Sequence, residues 1–306
     1  MIKAYYLVTK PGIIMGNVVT TAAGFILASR GHIDWGVFLA ALVGVILVVA
    51  SACVFNNYLD REMDKKMERT KNRPLVTGLI TGRNAIFFAV ILGAFGVAFL
   101  AIFTNTLTAI LSVIGFLAYV ILYGVCKYRT VYGTIIGSIS GALPPVIGYA
   151  AASGKLDLAA FILFMIVVFW QMPHFFAIAM YRFDDYFAAL IPVLPVKKGI
   201  YMTKIHMVLY TIAFIGTTSL LTFFGYTGYA YLVVATLLGG TWLWICKDGF
   251  KAEDDKVWAR QMFLFSLVVI TGLCGALAMD VVSEDSNQIL SKQDKNIVPK
   301  ASQHKF

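Results

Sequence analysis

Long apolar runs alternate with short polar connections along almost the whole chain. Nine runs, at about 12–29, 35–56, 84–104, 107–124, 132–152, 158–180, 204–224, 227–246 and 261–280, are each long enough to cross a bilayer as a helix. Helices are the expected form, because backbone groups in lipid must be satisfied within their own segment. The short alternating segments of a membrane β-barrel are absent from the pattern. The reading is an all-α membrane protein of about nine transmembrane helices around a central cavity, occupying residues 1–281. The remainder, 282–306, is polar and mixed in charge and is expected to be a disordered tail.

Composition agrees with this picture. Of 306 residues, 59% are hydrophobic and 13% charged, against about 25% charged in a soluble domain. The net charge of +9 is not a nucleic-acid signature, because of where it lies. Taking Lys3 and Lys10 as cytoplasmic, the connections on that side hold Arg61 to Arg83, Lys127 and Arg129, Arg182 to Lys204, and Lys247 to Arg260. The opposite connections hold only Arg30 and Lys155. The positive-inside rule puts the N-terminus in the cytoplasm and, after nine spans, the C-terminus outside. Cys53, Cys126, Cys246 and Cys274 lie in or at the ends of spans without metal spacing, and read as buried, inert thiols. No cleavable signal opens the chain, so insertion into a bacterial inner membrane is the simplest expectation.

The second apolar run ends in "NNYLDREMDKKMERTKNRPL", with four acidic and six basic residues in twenty. Asn56, Asp60 and Asp64 are spaced i, i+4, i+8, which aligns them on one helix face. Carboxylates so placed repel one another unless a cation lies between them. Oxygen ligands of this kind suit Mg²⁺, which takes one or two carboxylates and completes its shell with phosphates. The basic run that follows includes Arg69, Lys71 and Arg73, and guanidinium groups suit phosphate oxygens. The bland alternative is a solvated helix end, with pairs such as Glu62 to Lys66.

A second acidic cluster follows the sixth run, four helices later, in "WQMPHFFAIAMYRFDDY". An offset of four spans returns it to the same side and suggests a parallel internal repeat. Gln171, His174, Tyr181 and Asp185 fall roughly on one side of the sixth helix, with Asp184 adjoining. Polar groups inside a span are expensive and point to function, although a hydrogen-bonded structural histidine is the alternative. Pro173 should kink the helix. In the fifth run, Gly133, Gly137 and Gly141 form a small-residue face, and Pro144 and Pro145 should break the helix. Acids on one rim, cations beside them and an apolar bundle suit an amphipathic diphosphate whose departure leaves an allylic cation. His32, His206 and His304 carry less information.

At these residues the chain resembles the intramembrane prenyltransferases of the UbiA superfamily, whose first motif, Asn-x-x-x-Asp-x-x-x-Asp, is matched by Asn56, Asp60 and Asp64. "GSISGALPPVIGY", "WQMPHFFAIAMYRFDDY" and "IPVLPV" look closest to its heme-modifying branch, and the likeness covers about residues 10–280. The resemblance implies a single prenyltransferase domain over 1–281. It implies transfer of a farnesyl group from farnesyl diphosphate to a vinyl group of heme B, which is substrate rather than cofactor, giving heme O. Asp60, Asp64 and Asp185 would hold Mg²⁺, with Asp184 beside them. Asn56, Arg69, Lys71, Arg73 and Lys127 would hold diphosphate. His174, Gln171 and Tyr181 would meet the heme, His174 also serving catalysis. A heme A synthase or terminal oxidase assembly would be the downstream partner. The second motif departs from the two-aspartate form common in the superfamily, since Tyr181 stands where the first aspartate would be. That puts the second metal's ligands in doubt. Two other readings remain: a polyprenyltransferase acting on a quinone precursor or other aromatic acceptor, and a membrane transporter.

Overall fold

A computed structural model describes residues 1–282. The polar tail expected at 282–306 lies, beyond Val282, outside the described residues. Among the described residues nine helices are long and apolar enough to cross a membrane: α1 (Pro11–Ser29), α2 (Trp35–Asp64), α3 (Gly82–Phe103), α4 (Thr106–Cys126), α5 (Gly133–Ser153), α6 (Leu158–Tyr181), α7 (Ile200–Phe223), α8 (Tyr229–Lys251) and α9 (Asp255–Met279). The protein is a multi-pass membrane protein.

Local chemistry sets the starts of several spans. Asp34 accepts from the Val37 N–H, Thr81 from Asn84, Asn105 from Thr108, Asp157 from Ala159 and Ala160, and Asp254 from Lys256 and Val257. Each cap satisfies donors that a helix start leaves open and contributes about 1 kcal/mol. Gly154 ends α5 at φ 68°, a left-handed turn that favours glycine.

The core is built by small residues that let backbones meet. α1 crosses α5 so closely that a Cβ on Gly24 would overlap the Pro145 carbonyl, and one on Gly148 would overlap the Thr21 carbonyl. Helix association in lipid relies on such close packing, since lipid tails are as apolar as the side chains. The helix breaks at Ala142, just before Pro144 and Pro145, into Gly133–Gly141 and Leu143–Ser153. The glycine face of α5 is used for packing. Gly133 abuts the Lys127 backbone, Gly137 the Tyr123 ring and Gly141 the Gln171 amide. α6 stays helical through Pro173. Outward side chains such as Phe87, Phe95, Ile102, Leu237 and Trp244 are exposed, as lipid-facing positions should be.

Two departures from the sequence reading matter for the site. α2 does not stop at residue 56 but runs to Asp64, carrying its polar triad on regular helix. A short helix, Ile2–Val8, precedes α1. Its Ala4 and Val8 pack on Val54, Leu75, Ile80, Ala85 and Ala89, closing the same end of the bundle.

Candidate active site

The last two turns of α2 project Asn56, Asp60 and Asp64 from one face, and all three are buried, at 2%, 9% and 2% exposure. Buried carboxylates need partners, and here the partners come from far along the chain. Asp60 Oδ1 accepts from Lys127 Nζ at 2.5 Å and from Tyr128 Oη at 2.6 Å. Asp64 Oδ2 accepts from Arg73 Nη1 at 2.7 Å. Asn56 Oδ1 accepts from Lys10 Nζ at 2.7 Å. Lys10 has a left-handed backbone (φ 54°), a turn that joins Ile2–Val8 to α1.

The other acids of the stretch behave differently. Glu62 pairs with Lys65 and Glu68 with Lys71, at solvated positions. The solvated-end reading therefore holds for these two pairs, Lys71 included, and fails for Asp60 and Asp64.

Beside the triad lies a cleft of about 230 Å³ lined by Lys10, Asn57, Arg69, Asn72, Arg73 and Pro74, with Leu7 and Val8 from the N-terminal helix. Asn57 Oδ1, on the cleft wall, and Asn56 Nδ2, on the neighbouring triad, are buried with no hydrogen-bond partner among the described residues. Unpartnered buried polar atoms are rare, and these two leave one donor and one acceptor open to a ligand or a water. Burial, reinforced by Arg73 and Lys127 and opposed by Cys53 and Asp60, pushes the Lys10 ammonium down to about 8. Burial likewise holds Lys127 below the ordinary lysine range, with Asp60 opposing. Burial and then Asp60 raise the Tyr128 phenol. Cations under such pressure gain from an arriving polyanion.

The second acidic stretch joins the site through its backbone partner. Asp185 Oδ1 accepts from the Glu68 N–H at 3.0 Å. Met67, Ala189 and Ile191 pack together beneath the contact, flanked by Tyr128 and Tyr186. The two loops, four spans apart, therefore meet. Asp184 does not join them. Its exposed carboxylate pairs with Lys256 of α9 at 2.6 Å. Neighbours on a short helical turn, Phe183–Ala188, point about 100° apart, so one turns in and the other out.

The residues expected to share one side of α6 divide between two neighbours. Gln171 donates to the Ser138 carbonyl of α5 at 3.2 Å. His174 turns toward α9, with Nδ1 2.6 Å from Ser266 Oγ and its ring stacked on Trp170. Tyr181 also lies toward α9, flanked by the guanidinium groups of Arg182 and Arg260. His174 is thus held against α9 and does not line the cleft beside the triad.

Sequence reasoning missed Lys10, Tyr128, Asn57 and Tyr123. Tyr123 forms the wall beside Lys127, whose Nζ lies 5.1 Å from its ring centre, and it stacks on Tyr119 along a π-helical turn, Ala118–Tyr123. π-turns recur at functional sites. The only sequence signal was two aromatic residues flanking "GVCK".

The residues present fit a divalent cation. Asp60 Oδ2 and Asp64 Oδ1 accept no hydrogen bond among the described residues, and no preformed cluster of three acidic, histidine or cysteine ligands exists among them. Two carboxylates with a remainder to be supplied by phosphate is the arrangement that Mg²⁺ prefers.

A nine-span bundle with buried acids and distant cations at one end of the membrane defines an intramembrane enzyme for a polyanionic, lipid-tailed substrate. The chain belongs to the UbiA prenyltransferase family, whose model matches residues 17–268, and it is a prenyltransferase. It is 53% identical over 283 residues to a protein named protoheme IX farnesyltransferase from Protochlamydia amoebophila, covering 92% of this chain and 100% of that one. It is 53% identical over 293 residues to one so named from Sodalis glossinidius, covering 95% and 99%. Among solved structures it superimposes on a digeranylgeranylglyceryl phosphate synthase (TM-score 0.74, 21% identity, 91% and 97% covered). It also superimposes on a UbiA homologue from Archaeoglobus fulgidus bound to GPP and Mg²⁺ (TM-score 0.67, 14% identity, 90% and 99% covered). These two show the fold.

Proposed function

We propose that the chain transfers the farnesyl group of farnesyl diphosphate to a vinyl group of heme B, making heme O. The observation that carries this reading is the buried triad of Asn56, Asp60 and Asp64 with its long-range cations. The acceptor follows from relatives named protoheme IX farnesyltransferase at 52–53% identity over nearly the whole chain.

The diphosphate enters the cleft between α2 and the N-terminal turn. Lys10, Lys127, Arg73 and Arg69 bind its oxygens, and Asn56 Nδ2 gains the acceptor it lacks. Before substrate arrives, Lys127 and Arg73 neutralise Asp60 and Asp64. On its arrival they exchange a carboxylate for a phosphate partner, which frees the acids. Asp60 and Asp64 would then hold Mg²⁺, with Asp185 nearest among the second loop's acids. When bound, that ion neutralises charge growing on the leaving group.

The C1–O bond of the farnesyl chain breaks, and its electron pair leaves with diphosphate. The vinyl π electrons form the new bond to C1. The cation left on the other vinyl carbon takes water and releases a proton, giving the hydroxyl. Preset cations at the leaving group lower the barrier, because they need no reorganisation as charge develops. Tyr119 and Tyr123 offer ring faces to the allylic cation.

The same reading puts the N-terminus and the site in the cytoplasm of a bacterial cell, the protein in its inner membrane, and heme O in the hands of a heme A synthase or terminal oxidase assembly. The test is direct. Purified protein given farnesyl diphosphate, heme B and Mg²⁺ should yield a farnesylated heme by mass. A prenylated quinone precursor in its place would move the acceptor to the other branch.

A further inference from the structure

Tyr128 meets the buried acids in a way that no cation of the site can. The chain leaves α4 in a tight turn, closed by the Arg129 and Thr130 N–H groups on the Cys126 carbonyl at 3.1 and 3.0 Å. α5 begins hard against that turn, with Gly133 on the Lys127 backbone. Two successive side chains are thereby presented to one carboxylate oxygen. Lys127 Nζ and Tyr128 Oη both reach Asp60 Oδ1, at 2.5 and 2.6 Å. Asp60 Oδ2 is left without a hydrogen bond among the described residues. Asp64 is held differently, since among the described residues its carboxylate meets Arg73 alone.

An ammonium and a phenol act differently on a carboxylate. The ammonium neutralises it and repels any metal that approaches. The hydroxyl is neutral, and its short, charge-assisted bond fixes orientation while leaving the negative charge in place. When Lys127 and Arg73 turn to the diphosphate, Asp64 loses its side-chain donor and Asp60 keeps one. The ring behind that hydroxyl is anchored as well. Tyr128 packs beside Met67 of the first acidic loop and Ala189 and Ile191 of the second. The bond to Asp60 is therefore held from the place where the two loops meet.

We propose that Tyr128 is a positioning residue, whose hydroxyl pins Asp60 Oδ1 and so presents Oδ2 to the divalent ion once Lys127 has turned to the substrate. The proposal rests on the reading that Asp60 holds Mg²⁺. Carboxylate ligands are commonly oriented by outer hydrogen bonds of this kind, and losing one typically costs about 10–100-fold in metal affinity. Neighbouring residues thus have separate tasks, Lys127 at the leaving group and Tyr128 at the metal ligand. Because the ring rests on both loops, drawing them apart would slacken the bond to Asp60, which ties metal capture to their contact.

The test uses full-length protein in nanodiscs with farnesyl S-thiolodiphosphate, a poorly reactive substrate analogue. Mn²⁺ stands in for Mg²⁺, and its free concentration is read by electron paramagnetic resonance. Tyr128→Phe keeps the ring and removes only the hydroxyl. It should weaken Mn²⁺ binding about 10–100-fold, while affinity for the analogue without metal stays that of the unaltered protein. Turnover should return at high Mg²⁺, so that the half-saturating metal concentration carries the defect and kcat does not. Unchanged Mn²⁺ affinity in Tyr128→Phe overturns the proposal. So does a loss of metal-free analogue affinity as large as the loss for Mn²⁺, which would mean a site loosened as a whole. Asp60→Asn separates the proposal from the reading beneath it. If Asp60→Asn abolishes Mn²⁺ binding and Tyr128→Phe leaves it intact, Asp60 is the ligand and only the role of Tyr128 is wrong. If Asp60→Asn binds Mn²⁺ as well as the unaltered protein does, Asp60 is no ligand and both fall.

Discussion

Lys127→Met separates the two jobs that the cluster gives to one side chain. Lys127 and Asp60 are almost buried, their side chains 10% and 12% exposed, and meet at 2.5 Å. Removing one member of such a pair typically costs about 3–5 kcal/mol, because the other charge is left stranded. Asp60 keeps the Tyr128 hydroxyl, a charged hydrogen bond of about 1.5–3 kcal/mol. The loss should therefore fall near the low end, about 3 kcal/mol. Catalysis should fall separately. One preset donor at a developing anion is worth about 10²–10³ in kcat. Adding Asp60→Asn removes the stranded charge, so the double variant should recover most of the stability and none of the turnover. The assay is the thermal midpoint in nanodiscs beside kcat and KM for farnesyl diphosphate. A Lys127→Met single variant that loses stability but keeps its kcat below the melting range would refute the reasoning, since Lys127 would then act only by supporting Asp60.

Other outcomes follow from the same contacts. Gly148→Ala drives a methyl into the Thr21 carbonyl and should lower stability by about 1–3 kcal/mol, seen as a lower midpoint, whereas Gly216→Ala, with open space around it, should not. Lys10, at about 8 in the folded chain against an ordinary 10.5, holds fewer protons folded than unfolded between those values, so its burial weighs against stability below pH 8 and is relieved as pH rises toward 10.5. Its charge is lost over the same rise, so kcat/KM for farnesyl diphosphate should decline above about pH 8. Lys10→Arg should move that decline upward; an unmoved limb would exclude Lys10. Asp184→Ala removes an exposed pair and should leave turnover near that of the unaltered protein, while Asp185→Ala frees the Glu68 loop and should raise KM for farnesyl diphosphate; equal effects would contradict the division between them.

All nine spans were legible because lipid imposes both length and apolarity on every crossing. The triad was legible because its i, i+4, i+8 spacing is a local property of one helix. What answers the triad was not. Lys10 is 46 residues from Asn56 and Tyr128 is 68 from Asp60, and no local pattern encodes such pairings. Asp184 and Asp185 are equivalent in sequence and opposite in space, divided only by the direction in which a short turn leaves α6. Gln171 and His174 sit three positions apart, near enough to read as one face, yet α5 and α9 wedge against that face from different sides. The departure at Tyr181 was visible as an absence of aspartate, and only its setting between Arg182 and Arg260 gives it a partner.

The central claim is that the buried acids and their distant cations run a farnesyl transfer onto heme. The measurement that tests it most directly is expression in a host that lacks heme O, followed by extraction and mass analysis of the hemes. The unaltered chain should add a more hydrophobic heme carrying one farnesyl group and one hydroxyl, and Asp60→Ala and Asp64→Ala, inserted at normal levels, should add none. A host that gains no new heme from the unaltered chain, or gains it equally from the two variants, would contradict the account.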